Sequence, residues 1–379
     1  MNNKKTLLIV VNVDWFFISH RLPIAVEAVK NGWKVVVATK DTGRANEITQ
    51  CGIQFINIPI KRSGTNPFSE IKLVYFLFKT YAKIRPNVMH HITLKPVIYG
   101  TVIARLLKIK GVVNAISGLG FNFINQERKG ISKIILRLMD VSFKRKMAFI
   151  FQNKDDYKEL QKTAILKSYH QVYFIKGSGV DLDLYENLPT EKKEKTVILF
   201  AARLLWSKGV KELKAATDIL KKQYKNNVSF LICGRLDDDA KDAVSASFMR
   251  NWCDGKFVLW DGYVEEMLPI YSQCDLVVFP SYREGMPKSL LEACAAGKPI
   301  VTTNAVGCKE CVDEGVNGFK VPVKSVNELV AALKKLIENP ELRIKMGEAS
   351  RKKAEEEFDQ KEVVKKHLDI YNNLYKTST

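Results

Sequence analysis

Phe279-Pro280-Ser281-Tyr282-Arg283-Glu284-Gly285-Met286-Pro287-Lys288-Ser289-Leu290-Leu291-Glu292-Ala293-Cys294-Ala295-Ala296-Gly297-Lys298-Pro299 decides the fold of this 379-residue chain. The stretch begins at the end of an apolar run, Leu276 to Phe279, and closes on a second, Pro299 to Thr303. Both read as buried strands. Pro287 suits the first position of a helix, where a missing N–H costs nothing. Leu290, Leu291 and Cys294 make the apolar stripe of that helix, and Gly297 suits its end. A strand, a turn and a helix at the carboxyl edge of a parallel sheet form a ready ligand site. The free amides of the helix's first turn face a phosphate there. Ser289 and Glu292 are three apart and share a helix face. Glu292 is then placed to accept hydrogen bonds from ribose hydroxyls, and Glu284 stands at the mouth of the turn, near whatever the phosphates carry.

Two glutamates with seven residues between them, Glu284 to Glu292, resemble the signature of the retaining GT-B glycosyltransferases of family 4. Ala296-Gly297-Lys298-Pro299-Ile300-Val301 and Glu314-Gly315-Val316-Asn317-Gly318-Phe319 match that family too. The combination carries the resemblance; the bare spacing of two carboxylates describes many solvated helices.

Length and composition fit this reading. A chain of 379 residues exceeds one ordinary core and implies two domains. Seven cysteines are scattered, and the lone Cys308-x-x-Cys311 pair makes free thiols in a reducing compartment the expectation, ahead of a metal site. The short apolar run Leu7 to Val11 is no signal peptide, and no stretch spans a bilayer, so the chain is expected in the cytoplasm. Charge is uneven. Residues 1–190 hold 29 Lys and Arg against 13 Asp and Glu, and the remainder 31 against 28. The basic half calls for an anionic partner. No nucleic-acid-binding module is recognisable, and an anionic membrane surface at the inner face of the cell membrane is the expected partner. Lys129, Lys133, Arg137 and Lys144 fall on one helical face beside Ile131, Ile134, Ile135 and Leu138. Lys72, Lys79 and Lys83 lie among Ile71, Val74, Phe76, Leu77, Phe78 and Tyr81. A solvated helix face with its apolar side in the core is the plainer alternative for each.

Strands alternate with helices through residues 1–180, which implies a parallel sheet covered on both faces. After the first strand comes Asp14-Trp15-Phe16-Phe17-Ile18-Ser19-His20-Arg21, read as a loop ahead of a helix from Ile18. The family's glycine pair is missing here; the aromatic residues suit an apolar acceptor, and Arg21 an acceptor diphosphate. His90-His91-Ile92-Thr93-Leu94-Lys95-Pro96 follows the fourth strand and resembles a motif of bacterial polysaccharide repeat-unit transferases. Adjacent strand residues point to opposite faces, so one histidine should face the ligand. Lys95 complements a phosphate. Asn114 to Phe123, with Gly118 and Gly120, is a glycine-containing loop. A linker is expected over 181–195.

A second alternation fills 196–359. Its first strand leads to Arg203 and, five residues on, Lys208, which resemble the family's diphosphate-binding pair. Tyr263 stands near the nucleobase by the same resemblance. Asp237, Asp238 and Asp239 read as an acidic cluster at the N-terminus of a helix over 238–250.

The resemblance implies two Rossmann-like doubly wound parallel-sheet domains facing a central cleft, with helix 360–379 returning to the first. It implies a metal-independent transferase, with no cofactor, that moves a sugar from a nucleotide diphosphate to a polyprenyl-diphosphate-linked glycan. UDP-N-acetylhexosamine or UDP-hexose is the expected donor. Glu284, His90 and His91 would act on the sugar. Arg203, Lys208, Gly285, Met286, Pro287, Ser289, Leu290, Glu292 and Tyr263 would hold the donor; Arg21 and Lys95 would hold the acceptor. A sugar-nucleotide epimerase and a non-catalytic sugar-nucleotide-binding module are the alternatives.

Overall fold

A computed structural model describes residues 5–61, 66–118, 129–186, 188 and 194–377. The chain forms two compact units, Met1–Ser178 with Lys361–Thr379, and Gly179–Gln360.

The first unit alternates β1 (Thr6–Val10), α1 (Asp14–Lys30), β2 (Lys34–Thr39), α2 (Ala45–Thr49), β3 (Gln54–Asn57), α3 (Pro67–Ile84) and β4 (Val88–Ile92). A π-helical turn, Pro96–Gly100, runs into α4 (Thr101–Leu106). Then come β5 (Gly111–Ile116), α5 (Lys129–Ser142), β6 (Ala148–Phe151), α6 (Lys154–Lys162) and β7 (Gln171–Phe174). The strands pair in parallel in the order β3-β2-β1-β4-β5-β6-β7. Leu7, Leu8, Ile9 and Val10 are all fully buried, because helices cover both faces of the sheet.

The second unit has β8 (Thr196–Ala201), α7 (Val210–Tyr224), β9 (Val228–Cys233), α8 (Ala246–Trp252), β10 (Val258–Gly262), α9 (Leu268–Gln273) and β11 (Leu276–Phe279). It continues with α10 (Lys288–Ala295), β12 (Ile300–Thr303), β13 (Gly318–Val321), α11 (Val326–Glu338) and α12 (Pro340–Glu357). Its parallel sheet runs β10-β9-β8-β11-β12-β13. The strand order reverses between β8 and β11, and a doubly wound sheet binds its ligand at the carboxyl ends of such a pair. The quoted stretch sits there. After α12, α13 (Gln360–Lys376) adds Val363, Val364, Leu368, Ile370, Tyr371 and Leu374 to a buried core of the first unit.

Several boundaries differ from expectation. The segment after β1 is not a loop: α1 begins at Asp14, so Trp15, Phe16, Phe17 and Arg21 ride on a helix. Asp14 anchors it. Burial works against its charge, but Thr42 and the amides of Trp15 and Arg44 donate to its carboxylate and hold it below the usual carboxylate range. Asp237–Asp239 do not cap a helix, because α8 starts only at Ala246, capped by Ser245. Of the expected linker, Leu182–Tyr185 is a 3-10 turn of the second unit, and Tyr185 is buried in its core. Residues 187 and 189–193 lie outside the described ones, as do 119–123 of the expected glycine loop and the side chains of Lys129 and Lys133.

Candidate active site

β8 ends at Ala201, and the chain turns through Arg203 into a 3-10 turn, Trp206–Lys208, before α7. Gly209 joins the two with a φ of +77°, and a Cβ there would lie 2.1 Å from the Pro280 carbonyl oxygen. Only glycine lets the start of α7 press this closely on the end of β11. The contact brings Lys208 beside Glu284, on the turn after β11.

Lys208 Nζ donates to Glu284 Oε1, and both side chains are 14% exposed. Ser281 Oγ donates to the same oxygen at 2.6 Å. The Glu284 backbone amide is held by the Val306 carbonyl at 2.8 Å. Among the described residues no hydrogen bond reaches Glu284 Oε2, which leaves that lone-pair edge for a ligand hydroxyl. Arg203 pairs with Asp237 at 2.7 Å and is 33% exposed. Its cation therefore stands more in water than that of Lys208.

α10 starts at Lys288 with Pro287 as its N-cap. The Leu290 amide already donates to the Pro287 carbonyl at 3.0 Å, so the amides of Lys288 and Ser289 are the ones without an intrahelical acceptor, and the helix dipole adds partial positive charge there. Glu292, one turn in, is fixed from two sides. The Tyr271 hydroxyl donates to it at 3.3 Å and to the Ser289 carbonyl at 2.8 Å, while Lys288 lies 3.4 Å away. Met286, Pro287 and Leu290 are buried, so these three expected donor residues offer only backbone atoms, and Pro287 no N–H. Tyr263 follows β10 and is 59% exposed, beside Gly262, whose carbonyl accepts from the Gly234 amide at 2.6 Å. The second unit thus gathers Arg203, Lys208, Glu284, Ser289 and Glu292 at the reversal of its sheet. An anionic diphosphate with polyhydroxylated ends matches this set: cations and free amides for the phosphates, carboxylates for the hydroxyls.

Gly307 supports the turn. Its φ is +83°, and a Cβ there would lie 2.4 Å from the Glu284 carbonyl oxygen. Gly307→Ala should displace the Glu284–Gly285 backbone and destabilise the second unit by about 1–3 kcal/mol. The melting temperature read by calorimetry should fall accordingly; an unchanged value would mean that the Glu284–Gly285 backbone is not held by Gly307.

The first unit corrects two expectations. His90 and His91 do point to opposite faces of β4, but both are fully buried. His90 Nδ1 shares a 2.7 Å hydrogen bond with the Tyr371 hydroxyl of α13. His91 lies 3.0 Å from Asn114 Oδ1 and 3.2 Å from the Tyr81 hydroxyl. Neither ring is open to a sugar within this unit. Burial lowers the His91 pKa to about 4, and that of His90 well below its ordinary value, so both are neutral. Arg21 is also buried rather than free for a diphosphate. It donates to the His20 carbonyl, and burial lowers its pKa to about 10. Lys95 stays at the surface of the same unit, ion-paired to Glu70 of α3 at 2.6 Å. Just before it, Thr93 takes a φ of +70°, a strained value for a β-branched residue and one that marks functional turns.

Sequence reading missed Asp237 as the partner of Arg203, and Ser281 and Tyr271 as supports of the two glutamates. Lys208 and Glu284 are 76 positions apart, and no local pattern announces such pairings.

Two family models match the chain: "Glycosyl transferase 4-like" over residues 6–153 and "Glycosyl transferases group 1" over residues 185–353. One curated relative is the N,N'-diacetylbacillosaminyl-diphospho-undecaprenol alpha-1,3-N-acetylgalactosaminyltransferase of Campylobacter jejuni, 26% identical over 94% of this chain and 95% of its own. Another is the UDP-Gal:alpha-D-GlcNAc-diphosphoundecaprenol alpha-1,3-galactosyltransferase of Escherichia coli, 23% identical over 88% of each chain. Among solved structures, sucrose-phosphate synthase of Thermosynechococcus elongatus superposes with a TM-score of 0.79 at 16% identity, covering 99% of this chain and 100% of its own.

Proposed function

Because the chain belongs to the GT-B glycosyltransferases, with a 4-like first half and a group 1 second half, we propose that it transfers one sugar, with retention, from a nucleotide diphosphate to a polyprenyl-diphosphate-linked saccharide. The product would enter an O-antigen or capsule type of polysaccharide. UDP-N-acetylhexosamine or UDP-hexose is the proposed donor, in line with the names of both relatives. The observation that carries this reading is the Lys208–Glu284 pair at the β8–β11 reversal, together with the start of α10 and its Lys288 and Ser289 amides.

In this reading Lys208, Arg203 and the α10 amides hold the diphosphate. Glu292 accepts from the ribose hydroxyls, Tyr263 covers the base, and Glu284 Oε2 accepts from a hydroxyl of the sugar. Charge grows on the diphosphate as the glycosidic bond breaks, and preorganised cations and amides lower the barrier most when aimed at that charge. The acceptor hydroxyl attacks the face from which the leaving group departs. Glu284 is thereby an orienting group and no protein nucleophile is used. Lys208 and Arg203 supply the neutralisation that a divalent ion gives elsewhere, so transfer should persist in excess EDTA. Lys95 is the proposed contact to the acceptor diphosphate. The acceptor's lipid puts the reaction at the inner face of the cell membrane, with the enzyme held there peripherally; no helix among the described residues is long and apolar enough to cross.

A donor panel tests the reading. Purified protein is mixed with diphosphate-linked lipid extract and radiolabelled UDP- and GDP-sugars. Label should enter the lipid fraction from one donor, with the anomeric configuration of the donor kept. A folded protein that binds no sugar nucleotide would sink the proposal. Interconversion of donors without acceptor would replace it with an epimerase.

A further inference from the structure

α3 carries an apolar surface that the core does not use. Its inner face is buried through Leu73, Leu77, Thr80 and Tyr81. Its outer face leaves Phe68 83%, Ile71 65%, Tyr75 60% and Phe78 40% exposed. These four stand at i, i+3, i+7 and i+10, one stripe of a helix. Val74 and Phe76 flank it and are exposed too. Isolated exposed apolar residues are ordinary, but a continuous stripe of large ones marks a contact surface. Lys72, Lys79 and Lys83 form the neighbouring stripe, and Lys79 Nζ lies 5.3 Å from the Tyr75 ring centre. The one carboxylate on the helix, Glu70, is engaged by Lys95. The outward face is therefore apolar and wholly cationic.

We propose that this face of α3 is a docking surface for an anionic bilayer. Phe68, Ile71, Tyr75 and Phe78 enter the headgroup–acyl boundary, and Lys72, Lys79 and Lys83 meet lipid phosphates. A helix with an apolar stripe beside a lysine stripe lies in the plane of such an interface. A second copy of the chain is a poor occupant, since it would bring the same lysines against these. The net charge of +16 over residues 1–190 is complementary to anionic lipid. The inference deepens the membrane placement proposed above. It also gives that placement a consequence, because the Glu70–Lys95 pair ties the first turn of α3 to the residue proposed for the acceptor diphosphate. Docking would hold Lys95 close to the headgroups.

The test is flotation of the full chain with phosphatidylcholine vesicles, with and without phosphatidylglycerol. Wild type should float with the anionic vesicles and not with the neutral ones. Lys72→Gln, Lys79→Gln and Lys83→Gln together should lower partitioning by about 10²-fold, with a flatter salt dependence. Phe68→Ser, Ile71→Ser, Tyr75→Ser and Phe78→Ser together should abolish it at every salt concentration. Tyr75→Trp supplies a second readout that keeps the surface intact: the emission of the new indole should shift to the blue and be quenched by brominated lipid. Wild type that stays with the aqueous fraction, an indole emission of the Tyr75→Trp variant that vesicles leave unchanged, or a dimer that the apolar variant dissolves would each overturn the proposal. Transfer to a short-chain acceptor dispersed in detergent should be equal in wild type and the lysine variant. Its absence from both would count against the transferase reading alone and leave the flotation result standing.

Discussion

Lys208→Ala lowers the rate of sugar transfer by about 10²–10³, the usual loss when one preorganised contact to a developing charge is removed. Two features put Lys208 ahead of Arg203. It is 14% exposed against 33%, so less water screens it. It also binds Glu284, the residue proposed for the sugar, so one cation sets both ends of the bond that breaks. The loss should fall mainly on kcat if the contact strengthens in the transition state. Arg203→Ala should cost less and fall more on KM. Steady-state kinetics with the donor identified by the panel decide the matter; a loss below about tenfold for Lys208→Ala would remove it from the diphosphate. Ser281 still donates to Glu284 in that variant, so the turn should keep its conformation.

The second large effect is acid lability of the first unit. His90, His91 and His367 are all fully buried. Burial, aided for His90 and His367 by the nearby Arg21 charge, lowers their pKa values, to about 4 for His91 and about 3 for His367. The folded state therefore keeps all three neutral at pH 6, while the unfolded chain takes up protons near its ordinary value of 6.5. A state that binds more protons gains as pH falls, so stability declines below about pH 6.5 and continues to fall until the folded pKa values are reached. Each histidine contributes up to about 1.4 kcal/mol per pH unit, and three together about 4. Urea unfolding between pH 7 and 5 should show this slope, and His367→Gln should reduce it by roughly a third. A flat profile would mean that the imidazoles are not held neutral.

The two sheets were legible in the sequence because strands buried on both faces read as unbroken apolar runs, as in Leu7 to Val10 and Leu276 to Phe279. The strand–turn–helix that carries Glu284 and Glu292 was legible because its order is local: both glutamates and the turn fall within one such unit. What escaped was long-range or unsignalled. The fate of His90 depends on Tyr371, which is 281 positions away. A histidine pair after a strand looks like a site until its partners are known. α1 begins without a side-chain cap at Val13 and contains Pro23, so its first turn carries none of the marks by which a helix start is read. The acidic run at Asp237 resembled a helix cap, yet its first member is engaged by Arg203 and the true cap lies at Ser245.

α13 sets an order on biosynthesis. Its apolar residues complete a core of the first unit, yet it leaves the ribosome only after all of the second unit has been made. A nascent chain arrested before Val363 lacks the partners of Trp33 and His90, Tyr371 among them, and leaves part of that core open to water. Domains generally fold as they emerge, but here the earlier one must wait for the later one to pass. During that interval the exposed apolar surface is a target for chaperones, and the core of the first unit closes by the docking of a single helix.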